Sequence, residues 1–146
     1  MIRLFNLDDL DNIMKIWLDS NLEVHNYIDK NYFISNYEYA KEEMKKSNIF
    51  VYEKDRKIYG FIGIADRFIQ GIFVSKDSRS KGIGKKLIDY CKEKFDTLTL
   101  SVYKKNERAI VFYKRQGFQI QSKSVDSQTK EIEYVMIWKR WYLTKM

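Results

Sequence analysis

Residues 68–95 constrain this chain more than any other stretch. Phe68-Ile69-Gln70-Gly71-Ile72-Phe73-Val74 is apolar and rich in strand formers. Ile83, Leu87, Ile88, Cys91 and Phe95 then recur at helical spacing. Between them runs Ser75-Lys76-Asp77-Ser78-Arg79-Ser80-Lys81-Gly82, so the segment predicts a strand, a glycine-bearing loop and a helix start. A loop so placed gathers backbone N–H groups at the positive end of a helix dipole, an arrangement suited to phosphate or pyrophosphate. Gly82 and Gly84 carry no Cβ, so an anion can approach the main chain and a positive φ costs little. Arg79 adds a planar, charge-assisted donor. Two familiar phosphate loops are excluded by spacing. A P-loop needs four residues between its glycines and then Lys-Ser/Thr, and a dinucleotide fingerprint needs a third glycine where Leu87 stands. The plain alternative is a solvated basic loop ahead of an ordinary helix.

The remaining chain alternates strand and helix patterns. Ile2 to Phe5 reads as a short strand, and Asn6 to Asp9 as a helix start with early acids facing the dipole. Leu10, Ile13, Met14, Ile16, Trp17 and Leu18 carry that helix. A polar break from Ser20 to Asn31 precedes one further helix from Tyr32 to about Lys46, striped by Phe33, Tyr37, Ala40 and Met44. Asn48 to Ala65 reads as a hairpin around the charged turn Glu53-Lys54-Asp55-Arg56-Lys57. Thr97 to Tyr103 alternates as a strand, Asn106 to Gln116 is a helix stopped by Gly117, and Phe118 to Ser122 with Ile132 to Trp138 close as a strand pair. The prediction is one mixed α/β domain over residues 1–146, ending in a basic aromatic tail from Lys139 to Met146.

Hydrophobic residues make up 45% and aromatics 16%, enough for a packed core rather than a disordered chain. The first residues lack a signal-peptide pattern and no apolar run reaches a membrane span, so a soluble cytoplasmic protein is expected. One Cys and one His leave no internal disulfide and no metal-ligand cluster; no metal is expected, and Cys91 reads as a core residue. The net charge is +7, unevenly spread. Residues 76–94 hold seven bases against three acids, and residues 1–29 hold six acids against two bases. A basic centre suits an anionic ligand; an acidic N-terminal segment suits a cationic amine, provided it lines that amine's site.

A second constellation lies downstream: Asn106-x-x-Ala109-x-x-Phe112-Tyr113-x-x-x-Gly117-Phe118. Together with Val74-x-x-x-x-Arg79-x-x-Gly82-x-Gly84, it resembles the two signatures of the GNAT superfamily of N-acetyltransferases, in their usual order; the chain looks like the small bacterial single-domain type. The resemblance covers essentially the whole chain and is strongest over residues 48–138. It implies a central mixed, mostly antiparallel sheet of about seven strands with about four helices. It implies acetyl-CoA as cosubstrate and direct acyl transfer to a primary amine, on a small molecule, a protein lysine or a protein N-terminus. CoA would be held by Arg79, Ser80, Lys81, Gly82, Ile83, Gly84 and Lys85, with Phe112 and Tyr113 beside it. Phe73 and Val74 would polarise the thioester at a bulge where their strand splays, Asn106 would meet the pantetheine arm, and Tyr113 would protonate the leaving thiolate. No position for a general base carries over; Glu23, His25, Asp29, Tyr32 and Tyr103, or a water chain to bulk, are candidates, His25 having the most suitable unperturbed pKa. Two other readings stand beside this one: a non-catalytic acyl-CoA sensor, and a basic domain for nucleic acid, for which no recognisable motif is present. No membrane partner is expected, and the chain is a monomer or homodimer.

Overall fold

The structure, a computed structural model, describes residues 1–140. Seven strands form one sheet: β1 (Ile2–Leu4), β2 (Asn48–Lys54), β3 (Lys57–Ala65), β4 (Phe68–Val74), β5 (Thr97–Tyr103), β6 (Gln119–Val125) and β7 (Ile132–Lys139), in the order β1-β2-β3-β4-β5-β7-β6. Every neighbouring pair is antiparallel except β4 and β5. Five helices accompany it: α1 (Leu10–Val24), α2 (Lys30–Ser35), α3 (Tyr37–Lys46), α4 (Ile83–Lys94) and α5 (Glu107–Arg115). The mixed α/β class and the seven mainly antiparallel strands agree with the sequence reading; the helix count is one higher. Arg140 follows β7, and residues 141–146 of the expected tail lie outside the described residues.

The extra helix has a local cause. The expected helix over 32–46 breaks at Asn36, whose side-chain amide donates to the Tyr32 carbonyl at 2.6 Å and competes with the main-chain ladder there. The break turns Phe33 toward Trp17, whereas Ala40 and Met44 pack under β2 and β3. The polar break expected from Ser20 begins later. Ser20 and Asn21 are buried, so α1 continues to Val24 and closes when the His25 N–H bonds the Asn21 carbonyl. Asp29 then caps α2 by accepting the Asn31 N–H at 2.9 Å.

Strand alternation divides the core between two faces. On one face Leu98, Leu100 and Val102 of β5 and Met136 and Trp138 of β7 pack with Leu87, Ile88 and Cys91 of α4. Burial pushes the Cys91 thiol up to about 11, so it is an inert core group, as expected. On the other face Ile49, Val51 and Phe61 pack with Leu10, Ile13 and Met14 of α1.

An ion-pair network ties β1 to the start of α1. Arg3 donates to Asp9 at 2.8 and 3.0 Å and to Glu53 at 2.7 Å, and Asp9 also accepts the Asn6 N–H in a capping box. The hydrogen bond from Arg3 outweighs burial and holds the Asp9 carboxyl below its ordinary range. Its stabilising effect is therefore complete above the unfolded-state pKa of about 4 and is lost as pH falls through the lower folded value. Asp9→Asn is expected to cost about 1–3 kcal/mol and to flatten the acid limb of a curve of melting temperature against pH. An unchanged acid limb would remove Asp9 from that account.

Candidate active site

The site begins where the sheet fails to close. β4 and β5 pair in parallel only at Phe68 with Thr99 and Ile69 with Leu100; beyond that they diverge. A bulge lies at the same point, since Gly63 faces Gly71 and Ile64 faces Ile69, leaving Gln70 as the extra residue. Beyond the bulge β4 stays paired with β3 through Val74. The Ser75 N–H donates to the Tyr59 carbonyl at 2.8 Å, so by alternation Gly71 and Phe73 exchange their main-chain bonds with β3. Ile72 and Val74 face the opening toward β5. The Val74 carbonyl, accordingly, accepts from Arg79 Nε at 3.4 Å. Two expectations change: the bulge is at Gln70 rather than at Phe73 and Val74, and the Phe73 N–H belongs to the ladder. Phe73 still lines the cleft, its ring stacked on Phe61, and the main-chain N–H of Ile72 rather than that of Phe73 faces the opening.

The loop after β4 makes a 3-10 turn over Lys76–Ser78, then passes through two left-handed residues, Ser80 with φ 67° and Gly82 with φ 78°. Gly82 is the N-cap of α4, so the unbonded N–H groups of the first turn open onto the loop. A Cβ built on Gly82 meets nothing within 4 Å. Gly84 differs: its Cβ would come within 3.2 Å of Phe112 Cζ, so the missing side chain there serves helix packing. Arg79 is held by Glu23 of α1 at 2.8 Å, and Lys85 by Asp89 at 2.6 Å. Arg108 of α5 reaches the Ser80 hydroxyl at 3.4 Å. Ile83 is buried and anchors the loop, whereas Lys81 is exposed and is not among the residues lining the cleft.

One cleft of about 1490 Å³ joins this loop to the opening between β4 and β5 and continues to the far side of the sheet. That exceeds an ordinary small-ligand pocket and suits an extended ligand meeting a second one. Asn106 lines it while capping α5 through the Ala109 N–H at 3.3 Å. Phe112 and Tyr113 both line it, with ring centroids 5.4 Å apart, and Phe118 backs Tyr113 at 5.9 Å. Burial pushes the Tyr113 hydroxyl up to about 12, so it keeps its proton at neutral pH.

The far end is aromatic. His25 stacks on Phe33 and meets Tyr103 and Tyr27 edge-on, its Nδ1 lying 3.0 Å from the Tyr27 hydroxyl. Burial pushes His25 down to about 4, leaving a neutral imidazole of weak proton affinity. Two hydrogen bonds tie this end to the turn between β6 and β7. Tyr32 donates to Gln128 Oε1 at 3.0 Å and Tyr103 donates to Asp126 Oδ2 at 3.0 Å. Burial raises both tyrosines, which hold their protons. Of the remaining expected bases, Glu23 is paired with Arg79 and Asp29 caps α2. The acids of residues 1–29 do not line the cleft; Glu43, Glu107 and Glu133 do. Reading the sequence missed Glu133, Asp126, Gln128 and Ile72. Alternation in Glu131-Ile132-Glu133 was visible, but not the sheet order that brings it beside β5.

Residues 45–120 match the family model described as acetyltransferase (GNAT) domain. The chain is 33% identical over 140 residues to the peptidyl-lysine N-acetyltransferase YiaC of Escherichia coli K12, covering 94% of this chain and 96% of that one. Among solved structures, apo YjaB of Escherichia coli superposes with a TM-score of 0.85 at 22% identity, covering 94% and 96% of the two chains. YncA of Salmonella typhimurium, solved with its cofactor acetyl-CoA, superposes with a TM-score of 0.67 at 16% identity, covering 96% and 93%.

Proposed function

Given that this chain belongs to the GNAT acetyltransferase family and is an N-acetyltransferase, we propose that it moves the acetyl group of acetyl-CoA to the side-chain amine of a protein lysine, by direct attack within a ternary complex. The observation that carries this reading is the opening between β4 and β5, with an anion cradle at one end and an aromatic pocket at the other. Lysine as acceptor is supported by the activity named for the Escherichia coli relative that matches nearly end to end.

Acetyl-CoA brings an activated thioester and a pyrophosphate handle. The residues present fit it, since the main chain at Gly82 is open where a Cβ would otherwise stand. In this reading the N–H groups from Ser80 to Gly84 hold the pyrophosphate on the N-terminus of α4, with Arg108 at the rim. The N–H groups of Ile72 and Val74 bind along the arm and the thioester carbonyl, where fixed donors stabilise developing negative charge. Asn106 borders the arm, and Tyr113 delivers its proton to the departing sulfur.

A thermal-shift series tests the donor. At a hundredfold excess over Kd, a ligand specific for the folded state adds about 2.7 kcal/mol, or roughly 5–10 °C for a domain of this size. Acetyl-CoA and CoA are expected to produce such a shift and ATP none. Absence of a shift with acetyl-CoA would overturn the cradle. Mass spectrometry of lysine peptides incubated with acetyl-CoA then tests the acceptor.

A further inference from the structure

We propose that Glu133 is the general base that takes the proton from the acceptor's ammonium group, an assignment that rests on the acetyltransferase reading above. Glu133 lies on β7 directly opposite Tyr103 of β5. Leu98, Leu100 and Val102 of β5, and Met136 and Trp138 of β7, are buried on one face. Alternation therefore sends Tyr103 and Glu133 to the other face, toward α1 and α2, where both line the cleft.

Most of the groups around Glu133 are already partnered. From β5 comes Tyr103, which donates to Asp126. From the β6–β7 turn comes Asp126 itself. Burial opposes its charge, but the Gln128 N–H and the Tyr103 hydroxyl outweigh that and keep it ionised. From β6 comes Ser124, opposite in register. From α2 comes Tyr32, bonded to Gln128, and from the end of α1 come His25 and Tyr27. Glu131 is taken by Lys105 at 3.2 Å. Among the described residues no lysine or arginine pairs with Glu133. Its charge is thus open to a cation arriving through the aromatic pocket. Burial, then the nearby Asp126, pushes its carboxyl above the ordinary range, the direction a general base needs. Burial pushes His25 the other way, well below an ordinary imidazole, so it is poorly suited to hold the proton.

The step balances as follows. The ammonium gives one proton to the Glu133 carboxylate and becomes an amine. Its lone pair forms the N–C bond to the thioester carbonyl, and the C–S bond breaks with its pair leaving on sulfur. The sulfur takes the Tyr113 proton, and the second proton shed by nitrogen restores Tyr113. Glu133 returns its proton to solvent, so one proton is released per turnover.

The test compares full-length wild type with Glu133→Gln on two acceptors, an Nα-blocked lysine peptide and spermidine, following CoA release from pH 6.5 to 9.5. Glu133→Gln is expected to lose about 10²-fold in kcat at pH 7 and to bind acetyl-CoA within twofold of wild type. Its rate should then climb about tenfold per pH unit, because only amine already free in solution reacts below the ammonium pKa of about 10.4. Wild type should climb less steeply. Parallel pH profiles, or a raised KM at unchanged kcat, would overturn the assignment. Turnover of spermidine alone would refute the protein-lysine reading and still judge Glu133 by the same profile. If Glu133→Gln loses acetyl-CoA binding, Glu133→Asp decides. A retained wild-type slope at reduced kcat supports a carboxylate base, and a slope of one decade per pH unit overturns it.

Discussion

Gly82→Glu is expected to abolish binding of acetyl-CoA and CoA and to leave the fold intact. Gly82 has φ 78° at the N-cap of α4, where a side chain of L configuration costs about 1–2 kcal/mol. Nothing lies within 4 Å of the added Cβ, so no protein atom has to move. The new carboxylate projects into the space proposed for the pyrophosphate. Like charges brought together in a binding site cost several kcal/mol, so affinity should fall by more than about 10²-fold. Gly82→Ala separates the two contributions. It places a Cβ where the anion is proposed to approach, without the charge, and should weaken binding by roughly tenfold. Titration calorimetry reads both, and unfolding without ligand should move by only a few degrees. Wild-type affinity in Gly82→Glu would refute the cradle.

This loop was readable in advance because everything it needs is local. The strand before it, the glycines within it and the apolar stripe after it lie in 28 consecutive residues. The same holds for the hairpin of β2 and β3, for α5 with its Asn106 cap, and for Gly117, which ends α5 with φ 93°. Asn36 shows where local reading stops. The apolar stripe through Phe33, Tyr37, Ala40 and Met44 is continuous, but one side-chain amide competing for the Tyr32 carbonyl divides it into two helices. Gly84 shows a related limit. Its place in a glycine motif suggested anion contact, yet the atom it makes room for is Phe112 of a helix more than twenty residues away.

The acceptor end was legible only in part, and the reason is topological. His25 was identifiable from its type, but its environment comes from Phe33, Tyr103 and Tyr27 on three separate segments. The contact between Tyr32 and Gln128 spans 96 residues. β7 enters the sheet between β5 and β6, and that insertion alone sets Glu133 across from Tyr103. The acids of residues 1–29 suited a cationic amine only if they lined its site, and they do not line the cleft. Asp9 is spent on Arg3, Glu23 on Arg79 and Asp29 on the cap of α2, and Glu133 in the cleft comes from β7.

Tyr113→Phe is expected to lower kcat on the order of 10³-fold with little change in acetyl-CoA affinity. The ring itself contributes packing, held between Phe112 and Phe118, and phenylalanine preserves those contacts. What disappears is one hydroxyl, which burial keeps protonated up to about pH 12. Burial disfavours the phenolate, so in the proposed mechanism the proton given to sulfur is replaced by the second proton shed by the amine. Because the hydroxyl stays protonated throughout the working range, its loss should reduce kcat by the same factor from pH 7 to pH 9.5. That pattern contrasts with Glu133→Gln, whose deficit should shrink as pH rises and the amine deprotonates unaided. The two profiles measured side by side separate donation to the leaving group from removal of the acceptor's proton. A Tyr113→Phe enzyme with unchanged kcat would remove the hydroxyl from the chemistry. A deficit that narrows with pH would place Tyr113 on the acceptor's side of the reaction instead.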